Sequence, residues 1–173
     1  MTSRSDETLW QGSAWRLVSR EIHLPGGVTR KKPIIDHPGS VVLLPLLEDR
    51  VVMVWQYRLA LDQSILELPA GTRHPGEAWE ECAQRELREE TGYRAAQFVS
   101  LGHIWPGPGL TNEQMRLYLA TGLTLDPLPQ DEDEQIEIRL LPLEPLLRMA
   151  LDGDLEDAKS IIGIIRAAHH LKI

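Results

Sequence analysis

Between Gly71 and Tyr93 the chain reads GTRHPGEAWEECAQRELREETGY, and no other stretch constrains it as tightly. Ala78, Trp79, Cys82, Ala83 and Leu87 recur at spacings of three and four, which predicts an amphipathic helix. Glu86 and Glu90 stand one turn apart, and Glu89 follows Glu86 by three, so three carboxylates converge beside the apolar stripe. Gly92 falls just past the expected helix end, where a left-handed cap is favoured.

This arrangement is locally unfavourable. Glu89 and Glu90 occupy the last turn, where the helix dipole prefers a cation, at a cost of roughly 0.3–1 kcal/mol each. The like-charged Glu86/Glu90 pair adds a few tenths of a kcal/mol. A divalent cation removes both penalties, and hard cations such as Mg²⁺ take carboxylate and carbonyl oxygens while keeping several waters. Taken alone, an acidic helix of this kind reads more simply as a solvated face, with Arg85 pairing to Glu81 and Glu89.

The complete spacing points the other way. The segment resembles the Nudix box, G-x5-E-x7-R-E-U-x-E-E-x-G-U with U apolar, at all nine constrained positions within 23 residues. Gly71, Glu77, Arg85, Glu86, Glu89, Glu90 and Gly92 fill the fixed places. Leu87 and Tyr93 fill the two U places, the second with an aromatic where an aliphatic side chain is usual.

A chain of 173 residues makes one domain of ordinary size, able to bury about 70% of its unfolded surface. The formal net charge of −8 argues against nucleic acid or an anionic membrane as partner, since both need a basic face. Cys82 is the one cysteine, so no disulfide framework exists, and its place on the apolar stripe suits a buried thiol better than a nucleophile. No apolar run approaches 18 residues, and MTSRSDETLW offers no signal-peptide core; the expected location is the cytoplasm.

Residues 1–8 are expected to fray. Strands are predicted over 15–24 and 28–36 around the Pro25-Gly26-Gly27 turn, over 40–47 and 51–58, then over 97–104, 114–121 and 136–141. Helices are predicted over 144–151 and 154–171, with Asp154 or Asp157 as cap of the second. Strands, a helix, more strands and then helices imply an α+β domain. The resemblance implies the Nudix fold, an α/β/α sandwich on a mixed sheet. Residues 1–38 then form an N-terminal antiparallel strand extension and dimerisation region, and 39–173 the Nudix hydrolase domain.

Features outside the box resemble the ADP-ribose pyrophosphatase branch of that family. Leu66-Glu67-Leu68-Pro69-Ala70 is similar to its ELPAG, and Gln56-Tyr57-Arg58 to its QYR. Pro106 to Glu113 is similar to its SPGFSDE loop, with Thr111-Asn112 where Ser-Asp is usual. Asp131 to Glu134 resembles the late acidic loop, and residues 153–162 the closing helix motif.

That resemblance implies Mg²⁺-dependent hydrolysis of the pyrophosphate of ADP-ribose to AMP and ribose 5-phosphate, Mn²⁺ being the other candidate ion. It implies Glu86 and Glu90 as core ligands, Glu89 as a further ligand with a catalytic part, the Ala70 carbonyl completing the shell, and Glu134 as an additional ligand. Glu132 is the expected base. Arg58 is the candidate for phosphate, Glu113 for a ribose hydroxyl, Trp15 for adenine and Lys32 for phosphate. Gly71, Glu77, Arg85 and Gly92 are expected to brace the box. A homodimer is implied by the branch. Without the family context Arg58, Glu113 and the 131–134 run read as a solvated charge, a loop cap and an acidic turn. The competing readings are a Nudix hydrolase for another nucleotide sugar or nucleoside diphosphate derivative, and a non-catalytic Nudix module that binds ADP-ribose.

Overall fold

A computed structural model describes residues 6–130 and 135–173. Twelve strands and three helices are assigned among them: β1 Asp6–Gln11, β2 Arg16–His23, β3 Thr29–Asp36, β4 Ser40–Leu47, β5 Arg50–Arg58, β6 Gln63–Glu67, β7 Ala70–Thr72, α1 Trp79–Thr91, β8 Tyr93–Arg94, β9 Gln97–Ile104, β10 Met115–Thr121, β11 Thr124–Leu125, β12 Ile136–Pro142, α2 Leu143–Asp152 and α3 Ala158–Leu171. The expected α+β architecture is observed.

Period-two alternation builds the layers. In β4, Val41 and Leu43 face α1, while Val42 and Leu44 face α2 and α3; in β10, Tyr118 and Ala120 take the first side, Leu117 and Leu119 the second. Cys82, Ala83 and Leu87 bring α1 onto the first face, and Leu143, Leu146, Ile164 and Ala167 bring α2 and α3 onto the second. The sheet is therefore sandwiched between helices, and it is mixed: β10 runs parallel to β4 and antiparallel to β9.

The central sheet runs β12-β5-β4-β10-β9, and one irregularity in it makes the site. β4 and β5 pair only at Leu46↔Val51 and Leu47↔Arg50. Beyond that point they diverge, β5 pairing with β6 from Val54↔Glu67 to Arg58↔Gln63 and β4 pairing with β7 from Ser40↔Thr72 to Val42↔Ala70. The short crossing from Glu67 to Ala70 thus runs through the split.

β1, β2 and β3 form a separate antiparallel sheet. Arg20 holds it together, pairing with Asp6 at 2.6 Å and Asp36 at 3.1 Å, with Arg16 on Asp36 at 2.7 Å. The expected fraying is corrected over residues 6–8, where Asp6, Glu7 and Thr8 pair with Arg20, Ser19 and Val18; residues 1–5 lie outside the described residues. Ala78 leaves the apolar stripe, being exposed and serving as the α1 N-cap, with its N–H donated to Glu81. Asp157 rather than Asp154 caps α3, accepting from the Ser160 N–H at 3.0 Å. No helix among the described residues is long and apolar enough to cross a membrane.

Candidate active site

Helix α1 is placed by its ends. Gly92 takes a left-handed conformation, φ 75°, and donates its N–H to the Arg88 carbonyl, which ends the helix as the sequence predicts. At the start, Trp79 lies between the guanidinium groups of Arg73 and Arg116, 4.5 and 4.3 Å from the ring centre. The apolar stripe then turns Glu86 and Glu90 inward, to 8% and 1% exposure.

Those two carboxylates meet the same short strand. Glu90 Oε2 accepts from the Ala70 N–H at 3.0 Å. Glu86 packs on Gly71 so closely that a Cβ there would fall 1.9–2.2 Å from its carboxylate atoms. A side chain at position 71 and the inward Glu86 exclude each other, which is the physical reason for glycine at that place.

Arg85 is the hub of the remaining charges. Nε and Nη2 donate to Glu77 at 2.9 and 3.0 Å, Nη2 also to the Thr72 carbonyl at 3.1 Å. Nη1 bridges Glu86 at 2.7 Å and Glu89 at 2.9 Å. Glu77, which also accepts from the His74 N–H, is held by the Arg85 hydrogen bonds at a pKa of about 2. Glu81 is not an Arg85 partner. Burial pushes the Cys82 thiol up, so it stays protonated and unreactive.

Two adjoining cavities, about 280 and 400 Å³, share Arg58, Ala70, Gly71 and Thr72. Glu86 and Arg85 line the larger, together with Ser13 and Ala14 of the β1–β2 turn; Ser40, Glu113, Asp157 and Lys159 line the smaller. Arg58, Ala70, Glu86 and Glu113 are therefore gathered around one cleft. Glu113 accepts from Ser40 Oγ at 2.7 Å and faces His37 Nε2 at 3.9 Å; burial lowers the His37 pKa against the pull of Glu113. Trp15 packs against Trp10, with ring centres 4.7 Å apart and planes tilted by 46°, next to the Ser13–Ala14 turn and not inside either cavity. Lys32 is exposed on β3 opposite Arg20, away from both. Glu132 and Glu134 lie outside the described residues.

Among the described residues no three acidic, histidine or cysteine side chains are gathered in ligating geometry, since Arg85 holds Glu86 and Glu89. The donor set nevertheless fits a hard divalent ion. Glu86, Glu89 and Glu90 supply oxygen donors within little more than one helical turn, and the glycine cradle holds one of them against the β7 backbone.

A family model described as the NUDIX domain matches residues 36–162. The chain belongs to the Nudix family. It carries every fixed residue of the Nudix box, as a Nudix pyrophosphohydrolase does. Among similar proteins is one named methanol dehydrogenase activator from Bacillus methanolicus, 36% identical over 161 residues, covering 91% of this chain and 87% of the relative. Another, named ADP-ribose pyrophosphatase, from Bacillus subtilis (strain 168), is 34% identical with the same coverages. A crystal structure titled as an ADP compounds hydrolase superposes with a TM-score of 0.81 over 99% of this chain and 96% of its own, at 22% identity, which speaks for the shared Nudix fold.

Sequence reading missed Ser40 and Lys159, which line this Nudix cleft, and Glu67 and His37, which lie against its lining residues Arg58 and Glu113. Glu67 sat within the quoted LELPA and Lys159 within the closing helix motif, but neither motif reveals which side chains meet.

Proposed function

We propose that this chain hydrolyses the pyrophosphate bond of ADP-ribose, releasing AMP and ribose 5-phosphate, with Mg²⁺ held by the box carboxylates. The observation that carries this reading is the seating of Glu86 on Gly71 and Glu90 on the Ala70 N–H, which presents two box carboxylates to one β7 backbone beside an arginine-lined cleft. The 34% identity to a protein named ADP-ribose pyrophosphatase supports the choice of substrate.

In this reading Glu86, Glu89 and Glu90 are the protein ligands, joined by the Ala70 carbonyl and by Glu134. A bound divalent ion would neutralise diphosphate charge and acidify an attacking water. Arg85 is then the internal counter-charge that keeps Glu86 and Glu89 together before the ion arrives. Arg58 meets the diphosphate with a planar guanidinium suited to phosphate oxygens. Glu113, held by Ser40, accepts a ribose hydroxyl. Glu132 takes the proton of the attacking water. Trp15 stacks with adenine and Lys32 steers phosphate at the cleft of a second copy, both from residues 1–38, which we assign to a homodimer contact; residues 39–173 carry the chemistry.

Turnover measured across ADP-ribose, GDP-mannose, dinucleoside polyphosphates and nucleoside triphosphates tests the assignment. ADP-ribose is expected to have the highest kcat/KM. A preference for another member of the panel would replace ADP-ribose as substrate and leave the Nudix chemistry standing.

A further inference from the structure

Glu67 ends β6 with 1% of its surface exposed, and none of the roles above uses it. A carboxylate at that depth persists only when paired. Arg58 grips it side-on, Nε donating to Oε1 at 2.6 Å and Nη2 to Oε2 at 2.7 Å. Lys159 Nζ donates to the same Oε2 and pairs with Asp157 at 3.0 Å. Asp157 accepts from Ser160, whose Oγ in turn accepts from the Leu68 N–H at 2.7 Å. A closed ring of contacts thus ties the ends of β5 and β6 to the first turn of α3.

The ring lies beneath the cleft. Arg58 lines both cavities, and Asp157 and Lys159 line the smaller one. Two of the three guanidinium nitrogens are committed to Glu67, which leaves Nη1, without a hydrogen bond among the described residues, to meet anything in the cleft. An arginine side chain carries much rotamer freedom, and fixing it before a ligand arrives removes that cost from binding.

We propose that Glu67 is the positioning residue for Arg58: it grips the Nε–Nη2 edge and thereby holds Nη1 at the wall shared by the two cavities, where the diphosphate of the substrate passes. This rests on the reading that Arg58 meets the diphosphate. Lys159 provides the second positive charge that keeps Glu67 ionised, and without Glu67 the two cations face each other.

Steady-state kinetics of Arg58→Ala, Glu67→Gln, Glu67→Asp and the Arg58→Ala/Glu67→Gln double variant on ADP-ribose test this. Arg58→Ala is expected to raise KM roughly tenfold or more, and both Glu67 variants to raise it comparably, with kcat within about threefold of wild type. The double variant is expected to be no worse than Arg58→Ala, because the two residues act as one unit. A role in stability alone would lower the active fraction, so apparent kcat would fall with KM unchanged. Glu67→Asp keeps the buried charge and carries the test where Glu67→Gln does not fold; loss of folding in both would assign Glu67 to stability and overturn the proposal. An unchanged KM in Arg58→Ala removes the diphosphate contact and the proposal with it. A raised KM in Arg58→Ala beside an unchanged KM in the Glu67 variants, or additive effects in the double variant, overturns the role of Glu67 only.

Discussion

The Glu86 carboxylate rests on the Gly71 backbone at a separation that a single methyl group would abolish, its Cδ lying 1.9 Å from where a β-carbon at position 71 would stand. Gly71→Ala must therefore shift β7 or expel Glu86 from the cleft. The expected cost is about 1–3 kcal/mol of stability if the strand moves. Expulsion of Glu86 instead leaves stability near wild type and lowers turnover. Chemical denaturation and ADP-ribose turnover on the same preparation separate the two, and wild-type values for both would remove the close approach from the account.

Glu90→Gln keeps an oxygen that can accept from the Ala70 N–H, so the fold is expected to survive within about 1 kcal/mol. What it loses is the charge. Turnover is expected to fall on the order of a hundredfold and the magnesium concentration for half-activation to rise. A magnesium titration of activity measures both, and near-wild-type activation would take Glu90 out of the metal site.

Glu77 links stability to pH. Its pKa falls from 4.5 to about 2 because Arg85 hydrogen-bonds the charged form. A carboxylate whose folded pKa is depressed contributes stability that is complete above its unfolded pKa and is lost as pH falls through the folded one. The contribution is therefore present above 4.5 and fades toward about 2. Urea midpoints of wild type and Glu77→Gln should converge across that window, the variant losing less on acidification. Parallel curves would show that Arg85 does not hold Glu77 in solution.

Asn112 joins the N-terminal sheet to the loop before β10. Its amide donates to Asp36 at 2.9 Å, and its Oδ1 accepts from the His37 N–H at 2.8 Å. An aspartate there would keep the second bond and set two carboxylates against each other. Asn112→Asp is expected to lose about 0.5–1 kcal/mol, less at high salt, since the side chain is exposed. Melting temperatures at low and high salt check this; a loss independent of salt would contradict the electrostatic origin.

Much of this was legible in the sequence, and the boundary is physical. The α1 stripe, its Gly92 cap and the long strands follow from periodicities that local sequence carries. β6 and β7 do not: they are five and three residues long, with no alternation to mark them. The polar start, residues 1–8, reads as frayed, whereas Asp6 is fixed by Arg20 from the next strand. Glu67 was overlooked as a buried group because its partners lie 9 and 92 residues away, and an acid at a strand end ordinarily faces water. Arg58 reads from the sequence as a solvated charge or a phosphate contact; two of its three guanidinium nitrogens are spent inside the protein.

The central claim is that box carboxylates and a divalent ion together cleave a diphosphate. The most direct measurement is the release of AMP and ribose 5-phosphate from ADP-ribose by the purified chain, with magnesium and with excess chelator. Equimolar release of both products, abolished by the chelator and restored by added magnesium, is the predicted result. ADP-ribose that binds and is recovered intact with magnesium present, or cleavage at the same rate in chelator, would contradict it.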